Sequence, residues 1–107
     1  MINANDWLNE VPNGWHDLFL DMLIELNNVL DKYGIKDKYE FIDVKEKYGV
    51  MRIYDYMTDY SDVPQEVMDV VHKYEEMSKR FCPICGKPKD IPYMCRDCED
   101  LYLSLLP

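Results

Sequence analysis

A chain of 107 residues has room for one domain, and 48% hydrophobic content with nine Tyr, three Phe and two Trp supplies a packed core rather than disorder. Its formal net charge is −9, from 21 Asp and Glu against 12 Lys and Arg. Such an acidic balance weighs against binding a phosphate backbone, and no apolar run reaches membrane-spanning length.

The charge is segregated along the chain. Residues 1–31 hold Asp6, Glu10, Asp17, Asp21, Glu25 and Asp31 with no Lys or Arg. Residues 53–72 hold Asp55, Asp59, Asp62, Glu66 and Asp69, again with no Lys or Arg. The segments 32–52 and 73–98 each carry six bases against four acids. Acidic stretches of this kind suit a basic protein partner, because complementary fields steer association. A merely solvated acidic face is the alternative on charge alone.

Residues 1–14 read as irregular, broken by Asn3, Asn5, Pro12, Asn13 and Gly14, with Trp7 and Leu8 tucked back onto the body. A long amphipathic helix follows. Trp15, Leu18, Phe19, Met22, Leu23, Leu26, Val29, Leu30 and Tyr33 recur at three- and four-residue steps, and Gly34 ends the helix as a left-handed cap. Asp17, Asp21, Glu25 and Asn28 fall on its other face.

Residues 39–45 and 50–56 are rich in β-formers, and 46–49 with Gly49 reads as the turn between them. Alternation puts Phe41 and Asp43 on one face and Ile42 and Val44 on the other. In the second strand it sets Met51, Ile53 and Asp55 against Val50, Arg52, Tyr54 and Tyr56. A second helix is predicted from about Pro64, capped by Ser61 or Asp62, with Val63, Val67, Val70, Val71, Tyr74 and Met77 as its buried stripe and Phe81 extending it. Residues 100–106 read as a short closing helix whose leucines pack on the body.

Between these helices stand the only four cysteines, as two pairs: Cys82-Pro83-Ile84-Cys85 and Cys95-Arg96-Asp97-Cys98, with nine residues between the pairs. Each pair can present two thiolates from one tight turn, and two such turns supply the tetrahedron of soft ligands that Zn²⁺ takes. Gly86 permits the positive φ that turns backbone amides toward the sulfurs. Two disulfides are the first alternative, but residues 1–15 lack the basic start and apolar run of a secretory signal. A redox dithiol is the second, but it gives no reason for two pairs. Cys82, Cys85, Cys95 and Cys98 are therefore the expected ligands of a structural zinc; iron in the same four-sulfur site stays open. The thiolates and Zn²⁺ together add about −2 to the charge.

The expected architecture is α+β: helix, β-hairpin, helix, a C-terminal four-cysteine zinc lobe and a short closing helix. Residues 1–81 form the body, and residues 82–107 form a lobe packed on it as part of one compact domain.

Little here points to catalysis. His16 and His72, the only histidines, read as surface or cap residues; there is no phosphate-binding glycine loop and no nucleophile elbow. A second metal on Asp55, Asp59 and Asp62 lacks the glycine and terminal Glu of a calcium loop. The expectation is a non-enzyme. Tyr48, Tyr54, Tyr56 and Tyr60 are interleaved with Asp55, Asp59 and Asp62. They are either sheet packing or an aromatic, acidic contact surface for an arginine-rich partner.

The hairpin run Val44-Lys45-Glu46-Lys47-Tyr48-Gly49-Val50-Met51-Arg52-Ile53-Tyr54 resembles the V-K-E-K-[FY]-G-x-x-R-[FI]-Y signature of small phage and prophage proteins. The order is similar too, with Gly14-Trp15 opening a helix, then this hairpin, a helix, and a CxxCG turn at Cys82–Gly86. In such proteins the second half of the zinc site is often less regular, so ligation by Cys95 and Cys98 rests on spacing.

The resemblance implies a phage origin and a location in the host cytoplasm more than an activity. Small acidic phage proteins are similar to anti-defence inhibitors, and zinc-containing anti-CRISPR proteins against the type II effector nuclease are the nearest class. The expected function is a non-enzymatic inhibitor that binds this RNA-guided nuclease through acidic surface and blocks target DNA loading. Its expected contacts are Asp17, Asp21, Glu25, Asp55, Asp59, Asp62, Glu66 and Asp69. The alternative is a zinc-stapled phage adaptor binding a host or phage protein in transcription or replication. Direct nucleic-acid binding through Lys79, Arg80, Lys87, Lys89 and Arg96 ranks third. Sequence does not decide between monomer and dimer.

Overall fold

Where irregular backbone is expected at the start, the computed structural model, which describes residues 1–106, has a one-turn helix α1 (Ala4–Trp7) and two 3₁₀ turns (Leu8–Glu10, Asn13–Trp15). Asn3 makes α1 possible: its side chain accepts the Asn5 amide at 3.0 Å. Trp7 and Leu8 tuck back as expected, Trp7 meeting Phe41 edge-on at 5.8 Å.

Helix α2 (His16–Lys32) buries Phe19, Met22, Leu23, Leu26 and Leu30, the face set by its three- and four-residue spacing. Trp15, just ahead of it, is fully buried. Gly34 follows at φ +66, the predicted left-handed stop.

Strands β1 (Tyr39–Lys47) and β2 (Val50–Met57) form a two-stranded antiparallel sheet. Tyr48 and Gly49, at φ +56 and +79, make the two-residue turn whose twist matches the strands. The expected facing of β1 fails after Phe41. Phe41 pairs with Asp55 and Asp43 with Tyr54, so Ile42 is a bulge. The extra residue shifts the phase, turning Tyr39, Phe41 and Val44 inward and leaving Ile42 60% exposed. In β2 the expected alternation holds, with Met51 and Ile53 buried, Asp55 half-buried, and Arg52, Tyr54 and Tyr56 exposed.

Helix α3 (Gln65–Ser78) buries Val67, Val70, Val71 and Tyr74, with Val63, Met77 and Phe81 packed beside them. Its cap is Pro64, whose carbonyl accepts the Met68 amide at 3.2 Å, rather than Ser61 or Asp62. Asp59 instead orders the preceding loop by accepting the Ser61 amide. Two α3 side chains also close the free edge of β2. Ser78 Oγ accepts the Met51 amide at 2.8 Å, and Glu75 Oε2 accepts the Ile53 amide at 2.9 Å. That edge is therefore closed to pairing with another strand at these two positions.

The last helix, α4 (Arg96–Ser104), starts four residues earlier than expected, and its apolar side chains do not pack on the body. Leu101, Tyr102, Leu103, Leu105 and Leu106 are all half or more exposed. The helix grows out of the second cysteine turn, so that turn sets its course instead of a core. The molecule is accordingly elongated, 52 × 21 × 19 Å. Pro107, the last residue of the expected lobe, lies outside the described residues. The element order is the predicted α+β series with α1 added. No helix among the described residues is long and apolar enough to cross a membrane.

Candidate metal centre

The chain leaves α3 into a small antiparallel turn. Phe81 bridges Pro88, the Cys82 amide donates to Lys87 O at 2.8 Å, and the Lys89 amide donates to Arg80 O at 2.9 Å. Within it the Gly86 amide donates to Cys82 O at 2.8 Å, and Gly86 takes φ +80 as its position demands. The second pair is built differently: Cys95 is the N-cap of α4, its sulfur accepting the Cys98 amide at 3.4 Å.

These two turns bring the sulfurs of Cys82, Cys85, Cys95 and Cys98 within 4.8 Å of one another, with Cys85 and Cys95 at 3.5 Å. All four are free thiols. Four sulfurs about 2.3 Å from a central ion stand about 3.8 Å apart in a tetrahedron, so the cluster is the right size to hold a metal ion.

The local field favours thiolate at one corner. Burial pushes the Cys82 thiol up, but the amides of Cys95, Cys85 and Ile84 outweigh it and bring it down to about 6. Cys98 is pushed well above the thiol range, first by its hydrogen bond to Cys95 and then by burial. Cys85 also shifts upward: the Lys87 amide lowers it, while burial and the Cys95 and Cys82 sulfurs together outweigh that. A bound cation would favour the thiolate form of all four ligands.

Two glycines dock this lobe onto the body. A Cβ on Gly14 would lie 2.1 Å from Cys82 O and 2.6 Å from the Gly86 nitrogen, so the first cysteine turn rests directly on the Gly14 backbone. The Gly14 amide donates to Pro83 O at 2.7 Å, and Trp15 Nε1 donates to Phe81 O at 2.9 Å. On the other side, a Cβ on Gly49 would lie 2.5 Å from the Tyr93 nitrogen, and Lys89 Nζ donates to Gly49 O at 2.7 Å. Burial lowers the Lys89 pKa, against the pull of Cys82 and Glu46. In the sequence Gly49 reads only as a turn residue and Lys89 only as part of a basic stretch. The packing role of both became visible only with the chain folded.

Five of the eight acidic candidates have hydrogen-bond or ion-pair partners within the chain. Glu25 accepts from Lys73 Nζ at 2.6 Å and from Tyr74 at 2.8 Å, clamping α2 to α3. Glu66 accepts from Lys32 at 2.9 Å. Asp55 faces inward and accepts the buried Tyr39 hydroxyl at 2.5 Å. Asp59 is paired with Lys38 at 3.1 Å and is held at about 2 by Ser61 first and Lys38 after it. Asp69 accepts from Gln65. Asp17, Asp21 and Asp62 are exposed and take part in no ion pair among the described residues.

The four tyrosines in and just after the hairpin lie outside the core: Tyr48, Tyr54, Tyr56 and Tyr60 are 77, 41, 40 and 97% exposed. Tyr48 meets Tyr93 edge-on at 6.4 Å, and the Tyr56 hydroxyl donates to Glu40. Tyr60 stands at φ +62, a conformation that a bulky side chain avoids. His16 Nε2 contacts Val11 O at 2.8 Å, and His72 is exposed on α3. No family model matches the chain, and no curated protein or solved structure matches it either.

Proposed function

We propose that Cys82, Cys85, Cys95 and Cys98 hold one structural Zn²⁺ and that the chain is a non-enzymatic module for binding a basic protein partner. Four cysteines fill the tetrahedron and leave no position for a reacting water. The observation that carries the binding role is the surface formed by Ile42, Tyr56, Tyr60 and Val63 beside Asp62. Two backbone irregularities build it: the bulge turns Ile42 out of the sheet, and a left-handed residue sets Tyr60 almost wholly in solvent. The left-handed backbone at Tyr60 costs on the order of 1 kcal/mol or more, and such strain concentrates at sites that are used. Tyrosine with nearby carboxylate is the composition that contact hot spots favour against arginine-rich surfaces.

With the phage-like hairpin signature, this composition supports an anti-defence inhibitor acting in the host cytoplasm on a type II RNA-guided nuclease. That enzyme holds nucleic acid in basic channels, and a rigid acidic body seated there blocks target DNA loading. The test is co-purification of the zinc-loaded chain with the nuclease, apo and guide-loaded, followed by DNA cleavage. A stoichiometric complex, blocked cleavage and loss of both in Tyr60→Ala support the reading. Full cleavage with no complex overturns it in favour of an adaptor for a host or phage protein in transcription or replication.

A further inference from the structure

A groove of about 420 Å³ runs between the start of α2 and the first cysteine turn. Leu18, Met77 and Phe81 give it apolar walls, Gly86 lines it from the cysteine turn, and Asp17 and Asp21 line it on the α2 side. The two aspartates are one helical turn apart, so they share a face. Both are exposed, and neither is in an ion pair among the described residues. Like charges at this spacing destabilise a helix by a few tenths of a kcal/mol. Asp17 has compensation from the helix N-terminus, where it lies in the first turn; Asp21, a turn further on, does not. Other acids on these helices have found cations, as Glu25 has Lys73 and Glu66 has Lys32. The pair beside the groove has not.

We propose that this groove binds an arginine side chain of the protein partner, its stem on Leu18, Met77 and Phe81 and its guanidinium on Asp17 and Asp21. This rests on the binding-module reading and names the chemistry that one part of the surface recognises. Arginine fits better than lysine for three physical reasons. Its planar fork carries five donors and can reach two carboxylates, whereas an ammonium is a point charge. It is more weakly hydrated, so it loses less on entering an apolar groove. It also stacks on an aromatic ring such as Phe81. The cysteine turn forms one wall, so the groove is complete only when that turn is folded.

The experiment titrates the ¹⁵N-labelled, zinc-loaded full chain with the peptide acetyl-Gly-Arg-Gly-amide and with its lysine and citrulline analogues. The arginine peptide is expected to give saturable shifts at Asp17, Leu18, Asp21, Phe81 and Gly86. Lysine binds more weakly, and the neutral citrulline isostere gives none. Asp17→Asn with Asp21→Asn weakens binding at least tenfold while the rest of the spectrum is retained, and Glu10→Gln, at an exposed acid outside the groove, leaves it unchanged. Shifts of equal size with citrulline, shifts spread over all acidic segments, or undiminished binding by the double variant overturn the proposal. The two readings fail separately. A nuclease complex indifferent to the double variant sinks the groove alone, and arginine binding without a nuclease complex sinks the nuclease alone.

Discussion

Gly14 and Gly86 meet backbone to backbone. A Cβ on Gly86 would stand 2.9 Å from the Gly14 carbonyl oxygen, and one on Gly14 would stand 2.6 Å from the Gly86 nitrogen. Residues 72 positions apart are thus joined with no side chain between them, and the cysteine turn is aligned on the body before any metal is considered.

Gly14→Ala places a methyl group 2.1 Å from Cys82 O, where only backbone movement can relieve it. The variant should lose about 1–3 kcal/mol of stability in a urea melt. It should also surrender its metal to a competing chelator sooner than the parent. Gly34→Ala is the contrast: nothing lies within 4 Å of its Cβ, but φ is +66. It should lose about 1–2 kcal/mol from the left-handed backbone and hold metal as the parent does. Equal metal retention by both variants would show that the glycine contact does not support the site.

Ser78 is fully buried and joins α3 to β2 through one hydroxyl, which accepts from Met51 and donates to Glu75 O. Ser78→Ala leaves the Met51 amide buried without a partner, at a cost of about 1–3 kcal/mol. Amide exchange at Met51 should accelerate with it. Unchanged exchange there would mean the edge is closed by packing alone.

The Glu25–Tyr74 pair makes stability depend on pH at both ends. Burial first, then Glu25, raises the Tyr74 hydroxyl from 10 to about 12, so the fold favours its protonated form. Its contribution is full below pH 10 and is lost as pH climbs through about 12. The bond from Lys73, joined by that from Tyr74, outweighs burial and holds Glu25 below its ordinary 4.5. That contribution is present above pH 4.5 and falls away on acidification. Urea melts of the parent and Tyr74→Phe should differ by a constant amount from about pH 7 to 10, and the parent should lose ground beyond. A gap independent of pH through about 12 would place the hydroxyl outside the interaction.

Much of the fold was legible because its signals are local. The spacing from Trp15 to Leu30, the stop at Gly34, the turn ending at Gly49 and the CxxC pairs each depend on neighbours a few residues away, although strand β1 carries two residues further, to Lys47, than its β-formers suggest. What was not legible depends on distant partners. The phase of β1 changes at Ile42 because a bulge is a property of two strands, and alternation along one cannot register it. The leucines of α4 read as core from composition, yet where they point is decided by the Cys95 turn. For the acidic residues, sequence could count charge but not pairing. Glu25, Asp59 and Glu66 found cations from other segments, while Asp55 turned inward to Tyr39. Ser78 carried no signal, since a serine near a helix end is ordinary until a strand edge lies against it.

Metal content is the most direct test of the central claim, that four cysteines on two turns hold one ion that fixes the lobe. Elemental analysis and zinc-edge absorption should be run on the purified chain, its Cys82→Ser variant and its Cys95→Ser variant. The parent should carry one zinc per chain in a shell of four sulfurs at about 2.3 Å. The variants should lose it together with the order of residues 82–106, while the dichroism of α2 and α3 persists. A metal-free parent with its cysteines in two disulfides, or one carrying iron, would contradict the account.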